Sequence, residues 1–169
     1  MSDSVWRLPL EGTNVAVLAD CHILNGGPQF PSALFPRLQS VDLIVTLGEK
    51  AGLDQLEEIA PVVGVRGRDD DEDIRTRHPV LVLTSEGCRI GCIFDARSAG
   101  LATTVEPFVE ASDAQDACQR LFGGAVDVLL HASTHRADEA RFGAKGSALN
   151  PGSAVLPADG SAPTFLRLR

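Results

Sequence analysis

The stretch Asn14–His22, with the sequence NVAVLADCH, decides how the rest of the chain is interpreted. Val15 to Leu18 is a short apolar run with β-branched residues, which predicts a strand buried on both faces. Asp20 and His22 follow where that strand would end, and in open α/β sheets ligands bind just outside the carboxyl ends of strands. A carboxylate and an imidazole two residues apart can bind one metal ion together, although such a triplet also occurs by chance.

The composition indicates a soluble globular protein. The chain has 169 residues, 44% hydrophobic and 22% charged, which fits one domain over residues 1–169 with residues 1–12 as an N-terminal arm. A net charge of −8 argues against a nucleic-acid backbone or an anionic membrane as the main partner. There is no apolar run of membrane-spanning length and no secretion signal, so we expect a cytoplasmic protein.

The four cysteines do not have the spacing of a metal site. Cys21, Cys88, Cys92 and Cys118 form no C-x-x-C pair. We therefore expect free, mostly buried thiols and no zinc site built from them.

The first half of the chain alternates strands and helices, which predicts parallel neighbouring strands with right-handed crossovers. The predicted strands are Val15–Ala19, Asp42–Leu47 and Val62–Val65, and the predicted helices are Pro31–Leu38 and Gly52–Ala60. We expect Pro36 to interrupt the first helix. The acidic run that begins at Asp69 is expected to be a solvated loop.

The second half changes to hairpins. Val80–Thr84 and Cys88–Phe94 are predicted strands joined at Glu86-Gly87. A helix over Ser112–Phe122, a strand over Val126–Leu130, a hairpin around Gly143 and Gly146, and a final strand over Thr164–Arg169 complete the prediction. The leader Ser2–Gly12 alternates apolar and polar residues, which indicates an edge strand or an extended arm.

Five predicted strands end in polar clusters, which are Asp20/His22, Gly48-Glu49, Gly67-Arg68-Asp69-Asp70, Phe94-Asp95 and Ser133-Thr134-His135, and Asn150-Pro151-Gly152-Ser153 comes last. In this order the chain resembles the small single-domain calcineurin-like metallophosphoesterases of bacteria and archaea. Their pattern is D-x-H, G-D, G-N-x-D, H-G, G-H-T-H and N-P-G-S, each after a strand. The resemblance covers nearly the whole chain from Val15.

The resemblance implies an α/β fold of four layers, with two mixed sheets packed face to face and helices outside. It also implies a phosphodiesterase site in which two metal ions activate water and neutralise the phosphate oxygens. In the family, the first ion is held by the positions that correspond to Asp20, His22, Glu49 and His135 here, and all four residues can bind a metal. Glu49 is one methylene longer than the family's aspartate.

The second ion of the family is held by the positions that correspond to Glu49, Arg68, Phe94 and Ser133. Phe94 cannot bind a metal, Arg68 keeps its positive charge, and Ser133 is a poor ligand as a neutral hydroxyl. The resemblance therefore implies one divalent transition metal, such as Mn, Fe, Zn or Ni, and no second ion. Arg68 can hold a phosphate by bidentate hydrogen bonds as a phosphate clamp, or it can pair with Asp69, Asp70 or Asp95.

Three further residues are auxiliary candidates. Asp95 replaces the glycine of H-G and can be a metal ligand or a partner of Arg68. His131 either replaces a missing imidazole or is a satisfied neighbour. Asn150 belongs to a turn in which proline presets one φ angle and glycine permits a positive one, which favours a structural role.

Three functions remain open from the sequence. The first is a phosphodiesterase of reduced or specialised activity that acts on a phosphodiester or other phosphate-containing small molecule. The second is a catalytically inactive scaffold with a protein partner, since the same fold serves as an assembly subunit in the retromer coat. Leu101, Val105 and Phe108 would form the contact patch if they are exposed together. The third is a protein that binds a nucleotide or phosphate without turnover.

Overall fold

Short apolar runs separated by turns give a fold dominated by strands. The computed structural model describes residues 5–10, 13–24, 26–49, 51–101, 111–142 and 146–169, with the backbone alone at 111–115, 142 and 159. In this part of the chain the elements, in order, are β1 Val5–Pro9, β2 Val15–Leu18, α1 Leu34–Leu38, β3 Leu43–Leu47, α2 Leu53–Glu57, β4 Val62–Val65, β5 Val80–Ser85, β6 Cys88–Ile93, α3 Ala111–Phe122, β7 Val128–Leu130, β8 Ala137–Phe142, β9 Gly146–Pro151 and β10 Leu166–Leu168.

The strands form two mixed sheets. The six-stranded sheet has the order β1-β5-β6-β7-β9-β8, with β5/β6 and β8/β9 antiparallel and the other neighbours parallel. The four-stranded sheet has the order β10-β2-β3-β4, in which only β10 runs antiparallel to its neighbour. Among the described residues, β1 is an edge strand of the six-stranded sheet and pairs with β5.

The two sheets pack face to face through alternate side chains of their strands. Val15 and Val17 of β2 point to the same core cluster as Leu81 and Leu83 of β5. The intervening residues of β2, Ala16 and Leu18, point to the opposite face of their sheet. This period of two, with both faces apolar, is why β2 is buried along its whole length.

Helices cover the outer face of each sheet. Leu34 and Leu38 of α1 and Leu56 of α2 lie in the cluster on the outer face of the four-stranded sheet. Phe122 of α3 packs on the six-stranded sheet, where Gly91 leaves room for its ring: a Cβ at Gly91 would lie 2.9 Å from it. The order of layers is helix, sheet, sheet, helix, which confirms the predicted four-layer α/β fold.

Two predictions about local structure are wrong. Pro36 does not interrupt the first helix; α1 runs through it from Leu34 to Leu38. Pro36 is the third residue of that helix, where a backbone N–H has no intrahelical partner, so its missing donor costs no hydrogen bond. Leu101 is fully buried in the cluster under α3, so a contact patch that includes Leu101 is also wrong. Val105 and Phe108 lie outside the described residues.

The remaining global observations concern cysteines and membranes. All four cysteines are unpaired and three of them are buried, as predicted. Within the described ranges, no helix is both long enough and apolar enough to cross a membrane.

Candidate functional site

The structure brings the predicted site residues together in one cavity of about 410 Å³. The cavity lies at the carboxyl ends of the parallel strands, where the loops after β2, β3 and β4 face those after β6 and β7. Its lining includes all ten residues singled out above: Asp20, His22, Glu49, Arg68, Phe94, Asp95, His131, Ser133, His135 and Asn150.

The backbone at this cavity is strained. Asp20, His22, Glu49, Ser133 and His135 have φ angles between 48° and 73°, the left-handed region that side chains other than glycine rarely adopt. Among the described non-glycine residues only Glu86, in a hairpin turn, shares this conformation. Strain of this kind persists only where surrounding contacts impose it, and it concentrates at functional sites.

Asp20 fixes the loop after β7. Its carboxylate is fully buried and accepts the backbone N–H groups of Ser133 at 3.1 Å and His135 at 3.0 Å. The hydroxyl of Ser153 donates to the Asp20 carbonyl at 2.6 Å. Each carboxylate oxygen keeps a second lone pair, so Asp20 can hold the loop and still accept a further contact.

His22 and His135 face each other across the cavity. Their Nε2 atoms are 3.1 Å apart and their rings are nearly parallel, with 13° between the planes. The Nδ1 atom of His135 lies 2.7 Å from the Leu156 carbonyl, which can only accept, so that Nδ1 carries a proton. In neutral His135 the Nε2 atom therefore carries the lone pair. This tautomer, with its proton on Nδ1, is the one that binds a metal through Nε2.

Glu49 has a buried carboxylate oxygen that lacks a partner. Its Oε1 accepts the Arg68 backbone N–H at 2.9 Å, whereas its Oε2 is buried without a hydrogen bond among the described residues. The Nδ1 atom of His22 lies 4.0 Å from Oε2, beyond hydrogen-bond distance. A buried unpaired carboxylate oxygen is costly, so this atom indicates a missing cation or donor.

The donor chemistry suits a divalent metal, although the donors are not gathered as a complete set. His22 and His135 offer imidazoles and Glu49 offers an unpartnered carboxylate oxygen, although the two Nε2 atoms are hydrogen-bonded to each other. In the described part of the chain, however, no group of three or more His, Cys, Asp or Glu residues is close enough to hold an ion. Cys21 lies between Asp20 and His22, but burial, followed by repulsion from Asp20 and Asp70, raises the pKa of its thiol and keeps it protonated.

Arg68 lines the cavity with a largely exposed side chain. Its side chain is 72% exposed, and its NH2 group lies 3.6 Å from an Asp95 oxygen, beyond hydrogen-bond distance. Asp95 accepts the backbone N–H and the hydroxyl of Ser98. Burial opposes ionisation of Asp95, but these hydrogen bonds and the nearby Arg68 outweigh burial and lower its pKa.

Three further candidate residues in the lining have structural surroundings of their own. Phe94 is half-buried and packs against the cluster between the sheets. Ser133 uses its backbone N–H to hold Asp20. His131 is 5% exposed, and burial lowers its pKa, so it is neutral at pH 7.

Asn150 connects two segments of the site by hydrogen bonds. Its Nδ2 donates to the Ala132 carbonyl and to the Thr134 hydroxyl, and its Oδ1 accepts the Gly152 N–H at 2.9 Å. This arrangement ties the end of β9 to the loop after β7.

Four polar residues of the lining are not among these ten candidates: Asp69, Arg97, Thr134 and Asp138. Asp69, Arg97 and Thr134 are close in sequence to predicted site residues, and this proximity could have identified them as lining residues. Asp138 lies in the edge strand β8, and nothing in its sequence context separates it from other surface acids.

Comparison with known proteins decides the family. A profile of the calcineurin-like phosphoesterase superfamily domain matches residues 14–169. The chain belongs to this superfamily. Members of the calcineurin-like phosphoesterase superfamily generally bind divalent metal ions, which agrees with the donor chemistry of the cavity.

Solved structures show that the fold is shared with other proteins. A Vps29 single mutant from Entamoeba histolytica is 25% identical, with a TM-score of 0.65 over 92% of this chain and 85% of that one. Vps29 from Chaetomium thermophilum is 24% identical, with a TM-score of 0.70 over 93% and 82%. A predicted phosphoesterase from Streptococcus pneumoniae is 17% identical, with a TM-score of 0.57 over 92% and 81%. No match was found among curated protein sequences.

Proposed function

We propose that this protein is a metal-dependent phosphodiester hydrolase that uses one divalent ion. The observation that carries the proposal is the buried, unpartnered Glu49 Oε2, which lies 4.0 Å from the Nδ1 atom of His22 in the cavity that His135 also lines. A cation bound beside Oε2 would supply the partner that this oxygen lacks, with the imidazoles of His22 and His135 in the same cavity as further ligands. Membership of the phosphoesterase superfamily supports the same reaction class.

The residues that would hold the ion are His22, His135, Glu49 and Asp20. Bound there, Mn, Fe, Zn or Ni would act as a Lewis acid that activates water for attack on phosphorus. We propose a single ion because Arg68, Phe94 and Ser133 stand where the family places three of the second ion's ligands. The positively charged guanidinium of Arg68 would replace the charge of the second metal ion.

The other side chains bind and position the substrate. The Arg68 guanidinium can donate two parallel hydrogen bonds to the non-bridging oxygens of a phosphodiester, as a phosphate clamp. Asp95 orients Arg68 from 3.6 Å without engaging it in a hydrogen bond, so the clamp stays available. Asp20 keeps the loop of His135 in its strained conformation.

Hydrolysis of bis(p-nitrophenyl) phosphate with excess Mn²⁺ tests the proposal. We expect turnover by the wild type, none above background in His22→Ala, and a loss of about 100-fold in Arg68→Ala because charge stabilisation at phosphorus is removed. The control Arg141→Ala changes an exposed arginine on β8 outside the cavity and should retain turnover. Equal rates in wild type and His22→Ala with Mn²⁺, Fe²⁺, Zn²⁺ and Ni²⁺ would refute the hydrolase.

A second candidate is a member without turnover that binds phosphate, a nucleotide or a protein partner. The dispersed donors favour it, since no complete ligand set is gathered among the described residues. Calorimetric binding of inorganic phosphate that depends on Arg68, with no hydrolysis in any of the four metals, would establish this candidate. The unpaired cysteines fit a reducing compartment and support a cytoplasmic location in either case.

A further inference from the structure

A second cavity, which we call the arginine cavity, adjoins the site. It measures about 400 Å³ and shares Arg68, Phe94 and Asp95 with the first cavity. Two more arginines line it: Arg66 comes directly after β4, and Arg120 lies in the last turn of α3. The lining of the arginine cavity thus contains three arginines and one acidic residue, Asp95.

None of these guanidinium groups is neutralised by a hydrogen-bonded carboxylate among the described residues. Arg66 lies 3.6 Å from Glu72, whose side chain is 93% exposed, and Arg68 lies 3.6 Å from Asp95. Such solvent-screened pairs at long distance contribute little. Arg120 is exposed and has no ion pair within the described ranges.

The charge of the arginine cavity contrasts with that of its surroundings. The chain carries a net charge of −8, and the first cavity is lined by five acids and only two arginines. Side by side, the two cavities therefore present a carboxylate-rich half that suits a metal ion and an arginine-rich half that suits an anion. Clustered guanidinium groups with free donors are the usual protein solution for binding phosphate or carboxylate.

We propose that the arginine cavity binds a second anionic group, a phosphate or a carboxylate, of the same substrate whose phosphodiester lies in the first cavity. This proposal rests on the proposed function and narrows its substrate class to phosphodiesters with a further negative charge. The cavities share the Phe94 wall, and Val80, Ile93 and Leu121 add apolar surface to the second. That lining suits an organic linker between the two anions.

Calorimetric titration of the full chain in Mn²⁺ with two probes, thymidine 5′-monophosphate and thymidine 3′,5′-bisphosphate, tests the arginine cavity. We expect the wild type to bind the bisphosphate about ten-fold more tightly than the monophosphate. The variants Arg120→Gln and Arg66→Gln should bring this ratio close to one. Both side chains reach solvent and neither contributes to the core clusters, so both variants should fold, which circular dichroism checks.

The matched control is Arg141→Gln, which removes the same charge from β8, away from both cavities, and should keep the ten-fold ratio. A wild-type ratio near one, or an equal loss in Arg141→Gln, would overturn the second anion site. Failure of the proposed function gives a different result, namely no turnover of bis(p-nitrophenyl) phosphate. That substrate carries no second anion, so its hydrolysis does not depend on the arginine cavity, and the bisphosphate preference is measured independently.

Discussion

At the scale of single residues, the site is held in shape by Asp20. Left-handed backbone costs roughly 1–2 kcal/mol at each non-glycine residue, and Ser133 and His135 both adopt it. The Asp20 carboxylate accepts the N–H groups of both residues, so it offsets that cost where the strain occurs. The same contact places the His135 ring opposite His22.

Replacing Asp20 should therefore destabilise the whole protein. We expect Asp20→Ala to lower the free energy of unfolding by about 2–4 kcal/mol, because it leaves two partly buried backbone N–H groups without an acceptor. Urea unfolding followed by circular dichroism measures this loss. The control Asp138→Ala removes an exposed acid from the same cavity and should cost less than about 0.5 kcal/mol. Similar losses in the two variants would show that Asp20 does not hold the loop.

At the scale of elements, Arg75 fastens the segment between β4 and β5. Its guanidinium is 18% exposed and donates to Asp73, Asp54 and Glu57, at distances of 2.6–2.9 Å. Its carbonyl accepts the Gly64 N–H of β4 at 2.9 Å. The acidic segment after Gly67 is therefore tied to α2 and to the edge of the four-stranded sheet.

This network predicts a pH dependence of stability. Hydrogen bonds from Arg75, against the opposing effect of burial, lower the pKa of Asp73 below its ordinary value of 3.8. Because the folded pKa is below the unfolded one, the stabilisation is complete above pH 3.8 and is lost as the pH falls through the folded pKa. Asp73→Asn should cost about 1–3 kcal/mol at pH 7, and this difference from wild type should shrink below about pH 4.

Chemical unfolding between pH 7 and pH 3 measures that difference. Glu72→Gln is the matched control, since Glu72 is 93% exposed and its variant should track the wild type at every pH. A penalty for Asp73→Asn that stays constant down to pH 3 would contradict the Asp73–Arg75 ion pair.

The elements also show what the sequence can and cannot predict. The strands were predictable because Val15–Leu18 and its counterparts are apolar on both faces, a local pattern that burial enforces. The role of Arg75 was not predictable, because its partners Asp54 and Glu57 lie 21 and 18 residues away and meet it only in the folded chain. The continuation of α1 through Pro36 depends on where the helix begins, the least certain part of a sequence pattern.

At the scale of the whole molecule, the site exists only because the two sheets pack together. The four-stranded sheet supplies Asp20, His22 and Glu49, and the six-stranded sheet supplies the loop of Ser133 and His135. Motif order predicted that these residues would meet. The hydrogen bonds that these residues form depend on loop geometry, which the spacing of residues in the sequence does not encode. An example is the bond that the Arg68 N–H donates to Glu49 Oε1.

A ligand held by both sheets binds the folded state alone, so a metal ion should stabilise the protein. At a free concentration of 100 times the dissociation constant, one site adds about 2.7 kcal/mol, which corresponds to a rise in Tm of about 5–10 °C for a chain of this size. Differential scanning calorimetry with Mn²⁺ or Zn²⁺ measures the rise, and titration calorimetry should give one ion per chain. The Glu49→Gln variant should lose most of the metal-induced rise in Tm, because an amide replaces the charged, unpartnered carboxylate. The control Glu86→Gln changes another glutamate with positive φ and should keep the rise. An undiminished rise in Glu49→Gln, or none in the wild type with either metal, would rule out the single-ion site.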